Sequence, residues 1–182
     1  VVPKALTEQT ALEWRRIFPD ARLLTVGEMD LSTQDKRDVF TARIATGNYD
    51  AVIVSREQFD KMAMSPAYQH GYIQREIDEL EDMLVAQKMA GATKNTPSVK
   101  KIEAAKKRLE KRLEKALDPK KQSTRRKDDV LEFEQLGFDY LVVDESHAYK
   151  NGFVSTKMTD VSGVTVAPSG RAQDMQMKCD WM

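Results

Sequence analysis

The sequence contains a single cysteine, Cys179, in 182 residues. That excludes an intramolecular disulfide framework and a multi-cysteine metal centre, and it fits a reducing cytoplasm. Long apolar runs are missing too. None exceeds four residues, with Ala51–Val54 and Tyr140–Val143 among the longest, whereas a membrane-spanning helix needs about 20. No basic-then-apolar signal segment opens the chain. It begins Val1-Val2-Pro3, without an initiator Met and in what reads as a strand, so a piece of a larger protein is expected. Aromatic residues amount to only 7%.

What is present is 41% hydrophobic and 32% charged residues. The mixture predicts an α/β body carrying a long, charged, helical excursion. The formal net charge is zero, but the distribution is uneven. Residues 94–127 hold fourteen Lys and Arg against four acids, a window of +10 that the rest of the chain balances. Such a patch can steer a polyanion whatever the total charge.

Along the chain, Ala5 to Phe18 reads as a helix with Leu6, Leu12 and Ile17 among its apolar positions, and Arg22 to Val26 as a short strand. Ser32 or Thr33 caps a second helix that runs to about Thr46 and stops at Gly47-Asn48. Ala51 to Val54 is a buried-type strand. Strands alternating with helices predict a parallel sheet. Ile73, Ile77, Leu80, Leu84 and Gln87 then recur at helical spacing, as do Ile102, Ala105, Leu109, Leu113 and Ala116. These predict an antiparallel helical hairpin over about 70–90 and 98–117, with an acidic first arm and a basic second arm. A basic linker from Pro119 to Arg126, a helix over about 128–136 ended by Gly137, a strand over 139–143 and a helix over 170–178 complete the reading. The expected boundaries are 1–68 for the first part of the α/β lobe, 69–127 for the hairpin insertion, and 128–182 for the second part and tail.

The densest chemistry lies at 138–147, where a short apolar stretch ends in Asp144-Glu145 and His147 follows. A carboxylate held at the end of a buried strand can bind Mg²⁺ through water, and a second can deprotonate an attacking water. In open α/β sheets this edge is where ligands bind. The simpler alternative is an acidic turn after a core strand.

Asp144-Glu145-Ser146-His147-Ala148-Tyr149-Lys150-Asn151 resembles motif II of superfamily 2 helicases in the Swi/Snf-type branch. Val1 to Gln9 is similar to motif Ia, and Asp50 to Phe59 to motif Ib. The likeness is nearest to helicase-like proteins of phages and conjugative elements. The pattern departs at Thr10, where the family usually has Trp, and at Trp14, where Phe is common.

The resemblance implies a partial first RecA-like lobe, an incomplete parallel sheet with flanking helices, in a DNA-dependent ATPase. Asp144 would serve Mg²⁺, Glu145 would be the catalytic base beside ATP, and His147 would couple nucleotide state to the other lobe. Lys4, Ser55 and Arg56 would meet the DNA backbone. No Gly-x-x-x-x-Gly-Lys-[Ser/Thr] phosphate loop occurs in the sequence. That loop and the second lobe are implied to lie elsewhere in the polypeptide, as is a methyltransferase domain of the kind such helicase-like proteins often carry, so the isolated chain is expected to be inactive. The expected partner is DNA, of the duplex form that Swi/Snf-type motors generally track.

On the basic arm, Lys100, Lys101, Lys106, Lys107, Arg108, Lys111, Arg112 and Lys115 outnumber their possible acidic partners. Lys100, Lys101, Lys107, Arg108, Lys111 and Arg112 are candidate phosphate contacts, against the alternative of a solvated, salt-bridged hairpin. Two rival functions stay open. One is a non-catalytic binding module on a degenerate lobe. The other is a metal-dependent nuclease using Asp139, Asp144 and Glu145.

Overall fold

The computed structural model describes residues 1–25, 33–117, 131–150, 152 and 169–182. The basic linker, the start of the helix expected from 128, Asn151 and most of the stretch after it lie outside these residues. The chain divides into two compact units. The first comprises Val1–Met64, Arg126–Ala148 and Lys178–Met182, and the second Ser65–Arg125 and Tyr149–Met177.

The first unit is α/β. After a 3-10 turn at Lys4–Leu6, helix α1 spans Thr7–Ile17, followed by strand β1, Leu23–Thr25. Helix α2, Gln34–Thr46, leads to strand β2, Ala51–Ile53, and then to the one-turn helix α3, Arg56–Phe59. The two strands pair in parallel, with Leu23 opposite Ala51 and Thr25 opposite Ile53. Val2 adds a parallel bridge to Ser55, its N–H donating to the Val54 carbonyl at 3.0 Å. Parallel pairing requires a crossover between strands, and α2 supplies it between β1 and β2.

Local signals set the ends of α2. The Thr33 hydroxyl accepts from Lys36 N–H, and Asp35 sits in the positive first turn. Gly47 closes the helix because a β-carbon there would overlap the Tyr49 ring and the Arg43 carbonyl. Helix α1 buries Thr7 and Ala11 and packs Trp14 against Val2, Ala11 and Ile53. Leu12 and Ile17, expected among its apolar positions, are exposed.

Two expectations for 128–143 need correction. Of the described residues expected in the helix, only a single 3-10 turn forms, Phe133–Gln135, closed by Gly137 at φ 69°. Reciprocal bonds between Glu132 and Gln135 cap that turn. Phe133 is buried beside Phe59 and Phe138. Residues 139–143 form no ladder strand. A ladder requires consecutive cross-strand bonds, whereas both backbone bonds seen here involve Val1. Tyr140 and Val142 are exposed.

The second unit contains the helical hairpin. Helix α4 spans Pro66–Met89 and α5 spans Pro97–Leu117. The first starts four residues before the apolar repeat predicts, because the Ser65 hydroxyl accepts from Tyr68 N–H and Pro66 occupies the first turn. Its end is a Schellman turn. Gly91 N–H donates to the Lys88 carbonyl and Ala92 N–H to the Gln87 carbonyl, with Gly91 at φ 84°. Ile73, Ile77, Leu80 and Leu84 interlock with Val99, Ile102, Ala105 and Leu109. Pairing of Glu81 with Lys106, and of Gln87 with Ser98, fixes the antiparallel direction.

The last helix, α6, spans Gly170–Trp181, extending past the expected end at 178. Its residues to Met177 group with the hairpin, burying Ala172, Gln173 and Met175. Its later residues group with the α/β unit, where the fully buried Lys178 ammonium donates to the Phe59 carbonyl at 2.8 Å and lies 4.2 Å from the Phe59 ring centre. Among the described residues, no helix is long and apolar enough to cross a membrane.

Candidate active site

The acidic pair stands where the 139–143 segment meets Val1. The Val1 nitrogen donates to the Val142 carbonyl at 2.6 Å, and Asp144 N–H donates to the Val1 carbonyl at 2.8 Å. Two bonds from one residue to positions flanking Val143 are the pattern of a parallel bridge. They anchor the backbone immediately before the carboxylates. Beyond it, Asp144 and Glu145 form a turn, and Ser146–Tyr149 a 3-10 helix.

Glu145 adopts φ 56°, in the left-handed region. For a residue with a β-carbon that costs about 1–2 kcal/mol. Its carboxylate lies 2.8 Å from His147 Nδ1, and both side chains are at least half exposed. Asp144 is exposed as well. Among the described residues, no group of three or more His, Cys, Asp or Glu is placed to hold a metal. That donor set still suits Mg²⁺, which keeps most of its waters and is bound by one or two carboxylates together with substrate phosphates. Asp144 fits such a role; a closed protein cage does not exist around it.

A groove of about 320 Å³ runs beside this segment, with Val2, Trp14, Ile53 and Leu141 among its apolar walls. Its charged lining residues are Asp50, Asp139 and Asp144, with no lysine or arginine. Asp50 is committed locally, since Arg22 N–H donates to it at 2.7 Å and holds its carboxyl below the usual range. An apolar groove lined by these carboxylates offers no cationic side chain to an anion.

The two segments resembling motifs Ia and Ib converge at the Val2–Ser55 bridge. Lys4 and Arg56 both act on Glu57. That carboxyl is held below its usual range first by its own backbone N–H, then by the Ser55 hydroxyl, with smaller help from the two cations. Ser55, implied by the resemblance to meet the DNA backbone, is buried in its own turn. It is 3% exposed, its hydroxyl accepts from Gln58 N–H and bonds Glu57, and Gln58 Oε1 accepts from Ser55 N–H. This hydroxyl is a helix cap, spent on its own turn.

On α5, Lys100, Lys107, Lys111 and Lys115 fall within about 80° of arc and span about 22 Å of axis at the helical repeat. All four are exposed, and Lys101 and Arg108 flank them. Lys115 thus joins the candidate face, a position that the helical period alone could have identified. Lys106 is turned away into pairs with Glu81 at 2.5 Å and Glu110 at 3.5 Å. Arg112, expected among the phosphate contacts, also leaves this face. Its guanidinium is partly buried, donates to the Gly170 carbonyl at 3.1 Å and interacts with Glu76 and Asp174. Its position lies toward the apolar seam, where the arriving α6 consumes its charge.

Residues 1–179 match the family described as Probable helicase domain, and the chain belongs to that family. Neither a curated protein nor a solved structure matches it.

Proposed function

We propose that the chain forms the middle of the first RecA-like lobe of a superfamily 2, Swi/Snf-type motor that couples ATP hydrolysis to movement on, or remodelling of, duplex DNA. One observation carries this reading. In a chain of a probable-helicase family, Asp144 and Glu145 follow an apolar segment pinned in parallel to Val1. Residues 1–68 and 128–182 are two parts of the lobe, and 69–127 is an insertion. The phosphate loop and second lobe belong to the same polypeptide.

Asp144 would hold Mg²⁺ through water, and the bound cation supplies charge neutralisation at the phosphates. Glu145 would accept the proton of the attacking water after turning away from His147. His147, already touching Glu145, would relay nucleotide state to the other lobe. Lys4 and Arg56 would meet the DNA backbone beside Glu57. Lys100, Lys101, Lys107, Arg108, Lys111 and Lys115 would grip phosphates without reading sequence.

The test is steady-state ATP hydrolysis by the full polypeptide, with and without duplex DNA of unrelated sequences. Stimulation independent of sequence is expected. Hydrolysis unaffected by any DNA would overturn the motor reading. The second reading, a binding module without catalysis, is favoured by the basic face of α5. It predicts DNA binding with no hydrolysis at all.

A further inference from the structure

The hairpin unit buries a carboxyl group that the proposed motor does not use. Glu76 on α4 is 4% exposed, and Gln173 on α6 is fully buried. Gln173 Nε2 donates to Glu76 Oε2. The other oxygen of each side chain, Glu76 Oε1 and Gln173 Oε1, is buried without a hydrogen-bond partner. Two acceptors left over beside one N–H···O bond are the signature of a missing proton. An ionised carboxylate has no donor to give the amide oxygen, and each buried acceptor without a donor costs about 1–3 kcal/mol. A carboxylic acid has that donor, and its O–H closes a two-bond ring with the amide.

We propose that Glu76 is protonated in the folded chain and donates to Gln173 Oε1, and that this acid–amide pair is a latch holding the 170–177 part of α6 on the hairpin, released when the carboxyl ionises. Arg112 on α5 favours the ionised form, and Glu79 on α4 opposes it. Asp174 on α6 also acts on the Arg112 charge. Burial exceeds them all and pushes the Glu76 carboxyl up from 4.5 to about 7. Such a group stabilises the latched form fully below pH 4.5 and loses that contribution as pH rises through about 7. Between about pH 5 and pH 8 the latched-to-open ratio should fall on the order of 70-fold. Arg112 supports the same junction through the Gly170 carbonyl, so the latch has one pH-sensitive bond pair and one pH-insensitive bond.

The experiment is an NMR titration of the Glu76 side-chain carboxyl carbon in the whole chain. It is paired with hydrogen exchange of amides 171–177 between pH 5 and pH 8, corrected for intrinsic rates. The expected results are a midpoint well above 5 and protection that falls with pH in wild type. In Glu76→Gln, whose amide supplies the donor at every pH, protection should stay level. A midpoint below 5, as when a buried water or cation satisfies the two oxygens, overturns the proposal. So does the same loss of protection in Glu76→Gln. The titration of the wild-type chain decides the matter even if the variant fails to fold.

Discussion

Binding of duplex DNA by the α5 face should be lost with salt in proportion to the cations that face outward together. Lys100, Lys107, Lys111 and Lys115 share one narrow arc, so about four phosphates can be met at once. Each neutralised phosphate contributes about −0.9 to the slope of log K against log salt, giving about −3.6 for the face. Raising salt from about 50 to about 200 mM should then weaken binding about 150-fold. Removing two cations, in Lys107→Ala with Lys111→Ala, should bring the slope to about −1.8 and the loss to about 12-fold. Lys106→Ala is the contrasting variant, because Lys106 is already paired with Glu81 and Glu110. It should leave the slope unchanged and the stability little altered, as for an exposed ion pair. Fluorescence anisotropy of a labelled duplex over a salt series reads these slopes. The reasoning fails if the double variant keeps the wild-type slope, or if Lys106→Ala lowers it as much.

Two further outcomes follow from burial and capping. Leu80, fully buried in the hairpin seam, should cost about 2–5 kcal/mol as Leu80→Ala, seen as a lower denaturant midpoint with an unchanged slope. Ser55→Ala should cost about 1 kcal/mol through the lost cap and leave DNA affinity as it was. A fall in affinity at unchanged stability would return Ser55 to the nucleic-acid interface.

The hairpin was legible because a helical repeat of Ile and Leu is a local signal, as are the Ser65-Pro66 start and the Gly91 stop. Thr33 and Gly47 likewise bound α2 by chemistry within a few residues. Ser55 could also have been recognised, since Ser55 and Gln58 have the spacing of a capping box. What the sequence could not supply depends on partners far along the chain. The ladder status of 139–143 is decided by Val1, about 140 residues away, and a run of β-formers states only that a strand is possible. Glu76 lies one position before Ile77 and reads as one of several acids on a solvated face. Its burial depends on α6, nearly a hundred residues later. Arg112 is drawn from the basic face by another distant partner, Gly170, 58 residues later. At the candidate site, the order Asp144, Glu145, His147 was legible, but the left-handed turn that brings Glu145 to His147 was not.

The proposed function makes Glu145 the base of an ATP-hydrolysing motor. Its most direct test compares wild type and Glu145→Gln in the full polypeptide, measuring nucleotide binding and single-turnover hydrolysis in the presence of duplex DNA. Equal nucleotide binding is expected, with hydrolysis slowed by about 100-fold or more in the variant, the usual contribution of a general base. Equal hydrolysis by the two proteins would contradict it.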